Sequence, residues 1–221
     1  MKIGRFVYIL MPAAILSAFW LAPRAEILGD SSRIIYFHVP LAMVSVIAFL
    51  YAGIASVIYL AKKNPIMPDK ARNSAGIGLL CAVLTTLTGS LWAKAAWGSY
   101  WNWDPRQTSI IFLLLIYVAY MCLHASLANN PARGHISSVY LIMSMAVMPF
   151  FVFVIPRVYY SLHPDTLINS EGVLKIDPAM RTALFISAAA FIFLYIYIMG
   201  IKNKMLSIER IKIERIKNEE K

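Results

Sequence analysis

With 221 residues, 60% of them hydrophobic and only 14% charged, the chain is too apolar for a soluble globular domain, where about 45–50% apolar and roughly 25% charged residues are usual; its mean hydropathy of +0.66 points the same way. The net charge of +10 would suit nucleic acid, but the basic residues lie between and after apolar runs, so anionic membrane lipid is the expected partner and nucleic acid is not. Cys81 and Cys122 both sit inside apolar segments, and the absence of any C-x-x-C or C-x-x-C-H argues against thiol redox chemistry and covalent c-type haem attachment.

Six apolar segments follow one another, near residues 3–21, 41–61, 75–92, 108–128, 136–155 and 182–201. Each approaches the roughly 20 residues that cross about 30 Å of hydrocarbon. The first has no small-residue cleavage site after it, so it reads as a retained helix rather than a signal peptide. The expected fold is an all-α integral membrane protein, a bundle of six transmembrane helices over residues 1–201 with an external Trp-rich loop at 93–108. Beyond it, Ile208-Glu209-Arg210-Ile211-Lys212-Ile213-Glu214-Arg215-Ile216-Lys217 predicts a basic amphipathic cytoplasmic tail over 202–221, lying against the inner leaflet or a partner subunit. No glycine is followed by lysine, which leaves no phosphate-binding loop, so any ATP hydrolysis would belong to another subunit.

Six spans place both termini on one side. The terminal segments and the even-numbered loops carry 14 of the 21 Lys and Arg residues and the odd-numbered loops carry 7, which puts the termini in the cytoplasm. The tail supplies the whole of that excess.

Span parity then assembles a site. His38 follows span one, the stretch Trp97-Gly98-Ser99-Tyr100-Trp101-Asn102-Trp103-Asp104-Pro105-Arg106-Gln107-Thr108 follows span three, and His163 follows span five, so all face the compartment opposite the cytoplasm. His124 and His135 fall at the cytoplasmic side and read as structural or solvated residues. Four aromatic rings between 97 and 103 suit a platform for a flat ligand, and equally an aromatic belt at the bilayer interface. Two imidazoles from separate loops, with aromatic faces between them, are the parts that bind haem iron axially and stack its macrocycle. A four-ligand zinc site would need further donors such as Asp104 and Asp165. Asp104, however, reads as the N-cap of span four with Pro105 at N1, a device that Asp177-Pro178 repeats before span six. Arg106 at N2 is a cation facing the positive end of the helix dipole, which makes sense beside an anion; it and Arg33 are candidates for haem propionates, or else interface anchors.

These residues closely resemble the "WWD" signature of the haem-handling proteins of cytochrome c maturation: Trp97-Gly98-x-x-Trp101-x-Trp103-Asp104-x-Arg106-x-Thr108. Arg33-Ile34-Ile35-Tyr36-Phe37-His38-Val39-Pro40, Thr88-Gly89-Ser90-Leu91-Trp92-Ala93-Lys94 and Ile176-Asp177-Pro178-Ala179-Met180-Arg181 extend the resemblance to the CcmC branch over most of residues 33–181. The resemblance implies haem b held by His38 and His163 as iron ligands at the outer face of the cytoplasmic (inner) membrane. It further implies Trp97, Tyr100, Trp101 and Trp103 as the platform, Arg106 and Arg33 at the propionates, and Asp104 as helix cap or site support. Delivery to a CcmE-like haem chaperone follows from it, alongside CcmA/CcmB-like ABC transporter subunits and a small CcmD-like subunit, without turnover of a small substrate.

Two alternatives stay open at this point. Tyr100 to Pro105 is also similar to CcsA-type haem-attachment proteins, which carry a proline after the aspartate. A transporter subunit that binds no haem would use the same aromatics only as pore lining or lipid anchors.

Overall fold

The computed structural model describes residues 2–26, 28–163 and 176–219, and these residues form helices joined by short turns, with no strand among them. Seven helices, α1 (Lys2–Leu16), α2 (Ile35–Lys62), α3 (Met67–Trp97), α4 (Pro105–Ser126), α5 (Arg133–Pro149), α6 (Ile155–Val158) and α7 (Pro178–Glu219), make up six membrane-length segments because α5 and α6 are one interrupted span. Six helical segments of membrane length are present, and those that open with α2, α3, α4, α5 and α7 each begin ahead of the apolar run that announced them. α2 begins at Ile35, ahead of its apolar run, after a tight turn over Asp30–Ile34. His38 therefore stands on the helix, one turn inside its start, rather than in a loop.

Helix ends follow from local chemistry. Asp104 caps α4 by accepting the Arg106 N–H at 2.9 Å, and Asp177 caps α7 by accepting the Ala179 N–H at 2.8 Å. Gln107, in the first turn of α4, accepts the N–H of Asn102 at 2.9 Å and so ties down the Trp loop. At the other end of that loop α3 stops at Gly98, whose φ of 80° is the left-handed conformation that favours glycine and brings its N–H to Lys94 O.

Because lipid tails are as apolar as leucine, helices in a bilayer associate through close packing and shared hydrogen bonds rather than by expelling water. α2 and α3 pair along small buried residues, Ala48, Ala52 and Ala55 against Ala71, Ala75 and Ala82. α4 and α5 complete this core, with Phe49 stacked on Tyr117 at 3.5 Å between centroids. Ser74 donates to Ala48 O at 2.7 Å and shares a 2.8 Å hydrogen bond with the Tyr195 hydroxyl, fastening α7 to α2 and α3. Span five is broken after Pro149 by a wide turn over Phe150–Val154, and Pro156 starts the short α6. Proline removes the N–H that would continue the ladder, and wide turns of this kind gather beside functional sites.

The segment after Gly200 is no separate element: α7 runs unbroken from Pro178 to Glu219. Arg210 of this extension donates to Asp69 at 2.6 Å and to Pro65 O at 2.7 Å, clamping it to the start of α3. Residues 220 and 221 of the expected tail lie outside the described residues.

Candidate functional site

At the opposite end of the bundle, one cavity of about 220 Å³ opens between α2, α3, α4, the broken part of span five and the Trp loop. His38, Trp101, Arg106 and His163 line it together. They are separated by up to 125 residues in sequence, and it is the parity of the spans that brings them to one end.

Each histidine is held by its Nδ1. The Thr88 hydroxyl lies 3.1 Å from His38 Nδ1, and its single proton is directed to the carbonyl of Leu84 at 2.8 Å, so it accepts from the ring. His163 Nδ1 lies 3.0 Å from Asp104 Oδ1, an oxygen that can only accept when ionised. Both rings therefore carry their proton on Nδ1, an assignment made from these partners, and both leave Nε2 as a bare lone pair. A partner that holds the far nitrogen of an imidazole fixes its orientation and raises its basicity as a metal ligand.

Asp104 is the centre of this arrangement. It is 3% exposed. Oδ1 accepts from Arg106 N and His163 Nδ1, while Oδ2 accepts from the Ser161 hydroxyl at 2.8 Å and from Leu162 N at 2.7 Å. Burial alone would raise its pKa, but these hydrogen bonds and the nearby His163 ring outweigh it and hold the carboxyl below its ordinary value. Burial, aided by the Arg106 charge, lowers the pKa of His163 despite the opposing pull of Asp104, so the ring is neutral and the pair is a hydrogen bond rather than a salt bridge. One carboxylate thus caps α4 and holds His163 at Nδ1.

The aromatic residues divide into three groups. Trp101 lines the cavity. Trp97 meets the His163 ring edge-on at 4.8 Å, and Trp92, which the sequence reading did not assign to the site, lies against it at 5.7 Å and 29°. These two box in a histidine rather than line the cavity. Tyr100 and Trp103 point away from it, 56% and 76% exposed, and Lys94 Nζ sits 5.6 Å from the Tyr100 ring. Trp103 has φ 55°, a conformation that costs a bulky side chain on the order of 1–3 kcal/mol. The turn it makes sends its own ring outward and the following Asp104 inward.

Arg33 is not part of the cavity wall. It donates to Ala18 O, to Ala22 O at 3.5 Å and to Asp30 at 3.0 Å, which ties the end of the first span to the start of the second. Gly89, by contrast, belongs to the site although nothing in its residue type announced a role there: a Cβ at this position would lie 2.9 Å from His38 Cε1, so only glycine lets α3 pass so close under the ring. Among the described residues no three His, Cys, Asp or Glu side chains gather as a metal cluster, and Asp165 lies outside the described residues. His124 is buried against Ser137 at 3.0 Å near the far end of the bundle and fits the structural role expected of it.

The family model described as Heme exporter protein C (CcmC) matches residues 2–217. A ccmC-like mitochondrial protein of Marchantia polymorpha, named as a putative cytochrome c biosynthesis protein, is 31% identical over 86% of this chain and 79% of its own length. Proteins named Heme exporter protein C from Bradyrhizobium diazoefficiens and Escherichia coli K12 are 29% and 28% identical, over 84% and 87% of this chain and 71% and 78% of theirs. With the match running through all six spans and through the residues that line the cavity, the chain belongs to the CcmC (Heme exporter protein C) family.

Proposed function

We propose that this protein binds haem b through Nε2 of His38 and of His163 and delivers it, for cytochrome c biogenesis, to a CcmE-like chaperone at the outer face of the cytoplasmic membrane. One observation carries the reading: two histidines that share a cavity each have Nδ1 committed to a fixed partner, Thr88 in one case and Asp104 in the other, and each keeps a lone pair on Nε2. The buried His124 also has a hydroxyl at Nδ1, so what supports the ligand reading is the pairing: two imidazoles oriented through Nδ1 share one cavity, as axial ligands of one iron would.

The remaining residues fit the same cargo. Trp101 offers a ring face, and Arg106, at the capped start of α4, offers a guanidinium beside a helix N-terminus to a propionate. The cavity volume, about 220 Å³, is below the 300–1,000 Å³ or so of ordinary ligand pockets, so loading requires the His163 segment and the Trp loop to move outward. With the propionates drawn to Arg106, the vinyl edge faces the mouth. Trp103, exposed there in a left-handed conformation, is placed to meet the acceptor. CcmA/CcmB-like ABC subunits and a CcmD-like subunit complete the proposed assembly, with both termini in the cytoplasm.

Absorbance tests this reading. Purified protein should show a six-coordinate Soret spectrum; His38→Gly or His163→Gly should lose haem or leave it five-coordinate, with partial recovery in added imidazole. An unchanged spectrum in both variants would defeat the axial assignment.

A further inference from the structure

Below the histidines, the cavity reaches into the membrane-spanning part of the bundle, and there it meets three hydroxyls from three different helices: Ser45 of α2, Thr85 of α3 and Ser109 of α4. Their residues are 3%, 7% and 4% exposed, and none of the three hydroxyls has a hydrogen-bond partner among the described residues. A helical Ser or Thr has an easy partner at hand, the carbonyl three or four residues back. Ser56, Thr86, Thr88 and Ser144 all use it, at 2.8 to 2.9 Å. Ser45, Thr85 and Ser109 do not, and all three residues line the same space, with their hydroxyl oxygens just beneath its surface.

A buried hydroxyl without a partner is unfavourable, and three at one place in a bilayer are more so. The rest of the wall defines what would satisfy them. At this depth it is otherwise apolar, with Val46, Leu113 and Phe151, apart from Thr86, whose hydroxyl is taken by Ala82 O; the ionised group higher up is Arg106, and among the described residues no carboxylate lines the cavity. Hydroxyl donors below a guanidinium, with no carboxylate among the described lining residues, suit an acceptor that carries negative charge. By the 1.5 Å rise per residue, Ser109 lies about 4.5 Å inward of Arg106 along α4, Thr85 about 6 Å inward of Gly89, and Ser45 about 10 Å inward of His38.

We infer that Ser45, Thr85 and Ser109 form a seat for a carboxylate of the bound cargo, sunk into the membrane-spanning bundle beneath His38. This rests on the haem reading above and adds a direction to it: one carboxylate is held by Arg106 and the other, deeper, by the hydroxyls, so the acidic edge lies along the inner wall and the opposite edge toward the mouth. The seat selects a dicarboxylate macrocycle over a neutral one of the same shape.

The test is the variant Ser45→Ala/Thr85→Val/Ser109→Ala, which removes three hydroxyls and changes little volume. Ferric haem and its dimethyl ester are titrated into purified wild type and variant, following the Soret band. The variant should bind haem at least tenfold more weakly and the ester with unchanged affinity. Its apoprotein should melt no lower than wild type, because the hydroxyls it loses were unpartnered. Equal weakening for haem and ester, or no weakening of either, would overturn the seat and leave the hydroxyls to ordered water; so would a lower melting temperature of the apoprotein. Failure of the haem reading itself shows separately, as a wild-type spectrum that does not depend on His38 and His163, and the seat would fall with it.

Discussion

Asp104→Asn isolates the part of the site that tautomer control explains. The carboxylate is buried and accepts four hydrogen bonds, two at each oxygen. An amide in its place keeps one acceptor oxygen and turns the other position into a donor. If the amide nitrogen faces His163, it also faces the Arg106 N–H, and the imidazole must move its proton to Nε2 to accept at Nδ1. If it faces Ser161 instead, it confronts the Leu162 N–H, and the segment carrying His163 loses an anchor. Either way the ring is misprotonated or misplaced. A hydrogen bond to an ionised group contributes about 1.5–3 kcal/mol, and a tenfold change in an equilibrium constant is about 1.4 kcal/mol. Losing one should therefore weaken haem binding roughly 10- to 100-fold, the range typical of partners that orient a metal ligand. The defect should not depend on pH between about 6.5 and 8, because the fault is the position of a proton on a neutral ring. Soret titration of purified Asp104→Asn across that range, with magnetic circular dichroism to report the ligands, makes the measurement. Wild-type affinity with an intact bis-histidine spectrum would refute the tautomer argument.

Three further expectations follow from the same geometry. Gly89→Ala places a methyl 2.9 Å from His38 Cε1 and should displace the ring, giving a five-coordinate spectrum without a fall in melting temperature, since alanine favours a helix over glycine by about 1 kcal/mol; an unchanged spectrum would show that the ring can give way. Because burial lowers the pKa of His163, its ring stays neutral as pH falls below 6.5 while the unfolded chain takes up a proton, so this residue's contribution costs the fold stability from about pH 6.5 downward; histidine NMR of the apoprotein should find its midpoint below 6.5, and a midpoint above it would contradict the burial argument. Trp103→Ala should reduce transfer to a chaperone more than haem content, since that ring is 76% exposed and off the cavity wall, whereas Trp101→Ala should reduce both; parallel losses in the two variants would end the presentation role of Trp103.

The sequence alone determined the class, the number of spans and the end of the bundle to which His38, Trp101, Arg106 and His163 come together, because apolar length is a local property and parity is a matter of counting. His38 and His163 could be paired from two loops without knowing any distance between them. The cap at Asp104 was equally legible, since capping acts over three residues. What the sequence could not assign was the second duty of Asp104, the inward turn of a carboxylate onto a histidine 59 residues away, or the reason that Arg33 leaves the site for the carbonyls of Ala18 and Ala22. Composition also made Tyr100, Trp97, Trp101 and Trp103 look alike, although one lines the cavity, one braces a histidine and two face outward. Side-chain direction in a loop depends on each φ and ψ, and a single left-handed residue at Trp103 separates the ring from the carboxylate that follows it. Gly89, Thr88 and the three hydroxyls were hidden for a related reason: a small or hydroxyl-bearing residue in an apolar helix is ordinary by itself, and acquires a role only when tertiary packing decides what stands opposite it.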